Sequence, residues 1–233
     1  MRKFLSMLLI LCLVLCGSAA MAETKLVVGG TGETFVPADN AIVSVGVNIR
    51  NAEAPKAQSK ANEVIAKIRE SLTEAGFDEE DINTGYINLY GVYDYSSDSG
   101  DRLIGYNASS SLSVKVTDMA RVGEVIDLAF KAGANSLDGV SFSVTDDADA
   151  RKASLKAAVE DAKAKAAVLA EAAGFTELEI ESIQEGGVSS YNSGLDNFSL
   201  KNAAYGIETD SATVIRAAKI GVSASVTITF VAK

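Results

Sequence analysis

The C-terminal segment has the most constraining pattern of this chain, because every second residue from Ile220 to Phe230 is apolar and the residues between them are Gly, Ser or Thr. The stretches 41–49 and 109–116 show the same alternation. A period of two is typical of strands with one buried and one solvated face, as in antiparallel sheets covered on one side. Weaker strand patterns cover 26–30, 86–95, 139–144 and 180–184.

Three other segments have helical spacing of their apolar residues, over 61–75, 119–129 and 153–173, and each is followed by a glycine. Glycine just past the last apolar position is the usual left-handed helix cap. The third helix is rich in alanine, which predicts a close approach of its backbone to a sheet. Asp161 and Lys165 on its outer side form a favourable i,i+4 pair.

These elements predict an α+β fold, a two-layer α/β sandwich with a largely antiparallel sheet and helices on one face. The tripeptides Ala75-Gly76-Phe77 and Ala173-Gly174-Phe175 echo each other, each between a helix and a strand. The sequence leaves open whether the domain consists of two related βαβ-like halves. A polar, poorly periodic segment, 189–216, predicts a long loop before the last strand.

The first 22 residues have the features of a signal peptide. A basic start precedes an apolar run, and Ala20-Met21-Ala22 is a small-x-small cleavage site. We therefore expect export, cleavage before Glu23 and one domain over 23–233. Lipoprotein processing at Cys16 is the alternative, but Leu15 stands where that machinery prefers a small residue.

Charge and composition exclude several function classes. The chain has 31 acidic against 21 basic residues, a formal net charge of −10, which disfavours nucleic acid and anionic lipid as partners. No histidine is present, and both cysteines, Cys12 and Cys16, lie in the predicted leader. Thiol and imidazole chemistry is therefore absent from the mature chain. We expect no second membrane span, no cofactor, no metal and no enzyme activity, with a carboxylate-based hydrolase as the rival interpretation.

Three motifs contain residue types that occur in nucleotide-binding or metal-binding sites. Gly30-Thr31-Gly32 lacks the third glycine of a dinucleotide loop and is interpreted as a bend between strands. The segment 94–101 offers Asp94, Asp98 and Asp101 to calcium, but its spacing departs from an EF-hand loop and a polar hairpin tip explains it better. Asp146, Asp147 and Asp149 are also candidate metal ligands, but helix capping explains the first two better, and Asp118 is interpreted as a helix cap as well.

Tyrosines are concentrated in a predicted hairpin from about residue 85 to 116. They could form an aromatic platform for a sugar or a peptide, or they could simply pair across the strands. The candidate ligand-binding residues are Tyr90, Tyr93, Tyr95 and Tyr106.

Longer ordered segments carry a family resemblance. They are GYNASSSLSV at 105–114 and GANSLDGVSF at 133–142, with GTGE at 30–33 and PADNA at 37–41. With the alanine-rich helix that follows, these segments resemble the SIMPL-domain family of bacterial envelope proteins, which includes the periplasmic immunogenic proteins. One departure is Lys219-Ile220-Gly221, where members commonly have Pro-Gly.

The resemblance implies an exported two-layer α/β domain of unassigned role, in a family linked loosely to oxidative stress defence. It supplies no catalytic residues. We expect a non-enzymatic envelope protein of the periplasm or cell exterior that associates with itself, as a scaffold or binding module. The alternative is a small-ligand or peptide binder that uses the tyrosine-rich hairpin. Self-association is expected because an open antiparallel sheet has edge strands that must be covered.

Overall fold

The computed structural model describes residues 23–95, 101–192, 213, 215–217 and 219–233. The elements are β1 (Thr24–Pro37), β2 (Asn40–Asn51), α1 (Ala54–Glu74), β3 (Ile82–Asp94), β4 (Arg102–Val116), α2 (Val122–Lys131), β5 (Ser136–Ser143), α3 (Ala148–Ala173), β6 (Leu178–Asn192) and β7 (Lys219–Ala232). The predicted leader and most of the predicted 189–216 loop lie outside the described residues. The first four residues of that predicted loop belong to β6.

The strands form two antiparallel sheets, so the predicted α+β class is confirmed. One sheet has the order β3-β4-β2-β5 and the other has the order β1-β7-β6. All seven predicted strands are present. In β7 the alternation holds as expected, with Val222 and Ile228 fully buried and Thr227 between them exposed.

The chain divides into two compact units that are interleaved along the sequence. Unit 1 comprises the described residues up to Glu33 together with Lys152–Val188 and Ser223–Lys233. Unit 2 comprises Thr34–Arg151 and Ser189–Val222.

In unit 2, helices α1 and α2 cover one face of the four-stranded sheet. The buried apolar side chains of β2 and β4 meet Ile68 and Leu72 of α1 and Val125 of α2, all with no exposed surface. Helix α1 begins at Ala54, seven residues before the predicted Ala61, because Pro55 occupies its first turn and Ala57 is buried there. Pro is well suited to that position, where its missing N–H has no helical partner.

All three helices end as their glycines predict. Gly76, Gly133 and Gly174 have φ values of 85°, 110° and 83°. After α1, the N–H of Phe77 donates to the carbonyl of Leu72 at 3.1 Å, and equivalent bonds follow the other two helices. This is the Schellman arrangement, which satisfies carbonyls left over at a helix end.

In unit 1, helix α3 packs against β1 and β7 through small residues. Ala158, Ala162 and Ala166 are fully buried. A Cβ placed on Gly30 would lie 2.1 Å from the carbonyl oxygen of Ala158, and one on Gly32 would lie 2.1 Å from that of Ser154. The expected close approach of this helix is therefore present on the strand that carries the glycines.

The interpretation of Gly30-Thr31-Gly32 as a bend was wrong. All three residues lie inside the continuous strand β1. The two glycines serve the contact with the helix, where any side chain would collide with helix backbone, and not a change of chain direction.

We predict that Gly30→Ala lowers the free energy of unfolding by roughly 1–3 kcal/mol, the range for overpacking in a core. Gly29→Ala is the matched control, because a Cβ at Gly29 meets nothing within 4 Å. It should be neutral or slightly stabilising. Urea unfolding of both variants tests this expectation. Equal stability of the two would contradict the close helix–strand contact.

Candidate functional site

Strand β3 is an edge of the four-stranded sheet and is exposed over most of its length. Every residue from Asn83 to Tyr90 is exposed, and the strand has no charged residue before Asp94. Ile87 is 63% and Leu89 is 42% exposed. A long, uncharged edge strand with exposed apolar side chains is a surface on which another strand can pair.

The four predicted tyrosines do not share one face of the hairpin. Tyr106 packs with Val47 and Ala57 on the face that α1 covers. Tyr90 pairs with Asn107 in the antiparallel ladder, and Asn107 is adjacent to Tyr106 in the chain. Because neighbouring residues of a strand point to opposite faces, Tyr90 lies on the face away from α1.

Tyr93 and Tyr95 come together at the end of β3 that leads into the connection with β4. Their ring centroids are 6.4 Å apart, with the rings tilted by 40°. Tyr95 is 75% exposed. Gly91 leaves space for this arrangement, since a Cβ there would lie 3.1 Å from the ring of Tyr93. These two rings form an exposed aromatic pair within ordinary stacking distance.

The face of the four-stranded sheet that points away from α1 and α2, here called the far face, carries a polar network. Asn107 donates from Nδ2 to the hydroxyl of Tyr90 at 3.1 Å and to Ser109 Oγ at 3.0 Å. Ser109 donates in turn to Oδ1 of Asn48. Each partner therefore holds the next in place, and the Tyr90 ring is fixed by its hydroxyl.

Tyr86 has a perturbed hydroxyl. Burial raises its pKa above the ordinary value, and the charge and hydrogen bond of Asp138 raise it further. Its backbone N–H donates to Ser111 Oγ at 3.1 Å. Asp138 is itself held by Ser136, which donates from Oγ at 2.6 Å. The phenol of Tyr86 therefore remains protonated well beyond neutral pH and acts as a hydrogen-bond donor.

Asn135 extends the β2 ladder with its side chain. Its Oδ1 accepts from the N–H of Asn48 at 2.7 Å, and its Nδ2 donates to the carbonyl of the same residue at 3.0 Å. The primary amide thus replaces one peptide unit of a neighbouring strand. No pattern in the sequence indicates this contact, apart from a polar residue two positions after Gly133.

Asp39 lies in the turn between β1 and β2, and its side chain hydrogen-bonds to Thr145, just after the end of β5. Its carboxylate accepts from the N–H of Thr145 at 2.9 and 3.1 Å, from Thr145 Oγ1 at 3.1 Å and from Asn40 Nδ2 at 2.8 Å. Desolvation is the largest single influence and raises the pKa of Asp39, but these hydrogen bonds together outweigh it. The pKa therefore lies below its ordinary value of 3.8.

The candidate metal loop is only partly described. Asp98 lies outside the described residues, while Asp94 forms an ion pair with Arg102 at 3.6 Å. Among the described residues, no group of three or more Asp, Glu, His or Cys side chains is arranged to hold a metal ion. Asp118 and Asp146 do cap as predicted, accepting from the N–H groups of Ala120 at 3.0 Å and Ala148 at 2.9 Å.

The edges of the other sheet differ from β3. Strand β6 carries Glu179, Glu181 and Glu185, and two of these carboxylates pair with Lys233 and Lys25. Charges on an edge strand discourage pairing with another chain. No helix in the described part of the chain has the length and apolar character needed to cross a membrane.

The sequence is similar to a family of proteins of unknown function and to several of its relatives. A profile of the SIMPL family, described as proteins of unknown function (DUF541), matches residues 26–230. The 26 kDa periplasmic immunogenic protein of Brucella melitensis is 30% identical over 154 residues, which cover 64% of this chain and 62% of that protein.

Two further relatives are the uncharacterized proteins YggE of Escherichia coli K12 and of Edwardsiella ictaluri. The first is 28% identical over 159 residues, covering 66% of this chain and 64% of that protein. The second is 26% identical over 151 residues, covering 65% and 63%. The chain thus spans less than two thirds of the length of each relative.

We predict that Asp39→Asn lowers the melting temperature at pH 7, and that its difference from the unsubstituted protein shrinks on acidification. A carboxyl with a depressed pKa stabilises the fold above about pH 4, and this contribution is lost as pH falls through the folded-state value. Asn resembles the protonated acid, so the two proteins should converge near pH 2–3. Thermal melts from pH 7 to pH 2.5 test this expectation, and a constant difference would contradict it.

Proposed function

This chain belongs to the SIMPL family of proteins of unknown function, and from that premise we propose that it is an exported, non-enzymatic scaffold that assembles with copies of itself. The observation that carries the proposal is strand β3. It is uncharged over 82–93, and Ile87 and Leu89 expose apolar side chains beside its open edge. A second copy of the same strand would bury these side chains and satisfy the edge backbone.

Export to the periplasm or cell exterior is part of the proposal. It is supported by the signal-peptide features of residues 1–22 and by the word periplasmic in the name of the Brucella relative. A role in oxidative stress defence belongs to the proposal as well, and rests only on the family resemblance.

The absence of catalysis is supported by the direction of the pKa shifts. Hydrogen bonds lower the pKa of four carboxyls among the described residues: Asp39, Glu124, Asp147 and Asp161. A carboxylic general acid needs the opposite, a raised pKa that keeps its proton near neutral pH. This observation favours the scaffold over a carboxylate-based hydrolase.

A second candidate function is recognition of a sugar or a peptide by the tyrosine-rich hairpin. The exposed ring pair of Tyr93 and Tyr95 favours it, since such rings can stack on an apolar ligand face. A ligand that prefers the folded state must raise the melting temperature. A thermal-shift screen against oligosaccharides and peptides, repeated with Tyr93→Ala, would identify such a ligand by a shift that the variant loses.

We predict that the protein sediments as a dimer or larger species at micromolar concentration, and that Ile87→Lys combined with Leu89→Lys weakens this association at least about tenfold. Two charges beside an edge strand oppose pairing with the same strand of another copy. Val27→Lys is the matched control, because Val27 is also an exposed strand residue, at 67%, but lies on β1. Sedimentation velocity over a concentration series measures both.

Two outcomes would overturn the proposal. If the unsubstituted protein sediments as a monomer up to the highest concentration tested, self-association is wrong. If Val27→Lys and the β3 variant dissociate equally, the interface does not lie at β3. Circular dichroism confirms that each variant is folded before it is compared.

A further inference from the structure

Strand β1 is also an edge strand, at one side of the three-stranded sheet. The N–H of Thr31 donates to Oδ2 of Asp161 at 2.8 Å, and Lys165 Nζ donates to the carbonyl oxygen of Gly29 at 3.4 Å. Residues two apart in a strand direct their backbone groups to the same side, so both groups belong to one edge of β1. Two helix side chains thus occupy positions that a neighbouring strand would take.

The two side chains also hold each other. Lys165 Nζ lies 2.6 Å from Oδ2 of Asp161, one helical turn away on α3. The hydrogen bonds from Lys165 and from the Thr31 N–H lower the pKa of Asp161, so its carboxylate stays ionised at neutral pH. The acceptor for the strand N–H is therefore charged, and charge-assisted hydrogen bonds are stronger than neutral ones.

The reach of these side chains depends on the glycines of β1. Asp has a short side chain, and it meets the strand edge only because the helix backbone lies against Gly30 and Gly32 without intervening side chains. A sheet edge covered by side chains of its own chain is protected from pairing with another.

We propose that Asp161 and Lys165 seal the β1 edge against a strand of a second copy, so that the three-stranded sheet cannot grow from this side. The strand that competes for this edge is β1 of another copy, because β1 is suited to pair with itself. Val27 on this strand is 67% exposed, and residues 26–32 carry no charge. This proposal rests on the proposed self-association in one respect only, that the competing strand belongs to a second copy of this chain. The two hydrogen bonds are there whether or not β3 associates.

The test compares Asp161→Ala/Lys165→Ala with Lys156→Ala/Glu160→Ala. The second pair lies on the same helix with the same spacing, 3.9 Å apart, and carries one residue of each charge in the opposite order. In the described part of the chain, neither of its side chains hydrogen-bonds to strand backbone. At a dilution where the first variant does not associate, hydrogen exchange of its Thr31 amide should be about tenfold or more faster, as expected for loss of a bond to a charged group. Sedimentation should show species larger than those of the unsubstituted protein only in the first variant.

Adding Val27→Lys to the Asp161→Ala/Lys165→Ala variant should restore the original size, because a charge then discourages pairing at the opened edge. Asp161→Asn/Lys165→Gln should also keep the original size, since its amides can still accept from Thr31 and donate to Gly29. If either of these variants forms larger species than the unsubstituted protein, the proposed seal is wrong.

The seal and the β3 interface can fail separately. A monomeric unsubstituted protein removes the β3 proposal, yet opening β1 should still produce association. A folded Asp161→Ala/Lys165→Ala variant of unchanged size overturns the seal, whatever β3 does. If that variant does not fold, exchange in the unsubstituted protein decides: a Thr31 amide that exchanges at the unprotected rate overturns the proposal.

Discussion

The contact between α3 and β1 is the constraint on which unit 1 depends. Gly30 and Gly32 bring the helix backbone within reach of the strand, and the alanines of α3 fill the remaining space. Dispersion is strongest where atoms lie at contact distance over a continuous surface. Because the residues of α3 and β1 at this contact are small, the two backbones lie close enough for dispersion to stabilise the contact. Large side chains would hold the helix farther from the strand.

The sequence predicted those parts of the fold in which one face meets the core and the other meets water. Strands β2, β4 and β7 were identified because Val, Ile and Leu alternate with Ser, Thr and Gly. Strand β6 was predicted only over 180–184, because nearly all of its 15 residues are exposed and its pattern carries no burial signal. The role of the glycines in β1 was missed, since a glycine that permits close packing and one that permits a turn are the same residue in a sequence.

The candidate site was less predictable for a geometric reason. Two irregularities interrupt the pairing of β3 with β4, between Thr84 and Ile87 and between Val92 and Tyr93. An irregularity of this kind shifts the alternation of faces, so the spacing of tyrosines in the sequence does not say which face each will reach. Tyr90 and Tyr106 lie on opposite faces because Tyr106 stands opposite Gly91 in the ladder, while Tyr90 stands opposite Asn107.

The interleaving of the two units gives them contacts of different sequence separation. Unit 2 takes its sheet and two of its helices from one stretch, Thr34–Arg151. Unit 1 needs β1, from near the start of the described chain, beside β7, from its end. Ile228 and Phe230, which belong to the same buried cluster as the alanines of α3, lie on β7, far beyond α3 in the chain. Unit 1 therefore rests on contacts between segments that are distant in the sequence, and such contacts form more slowly than local ones.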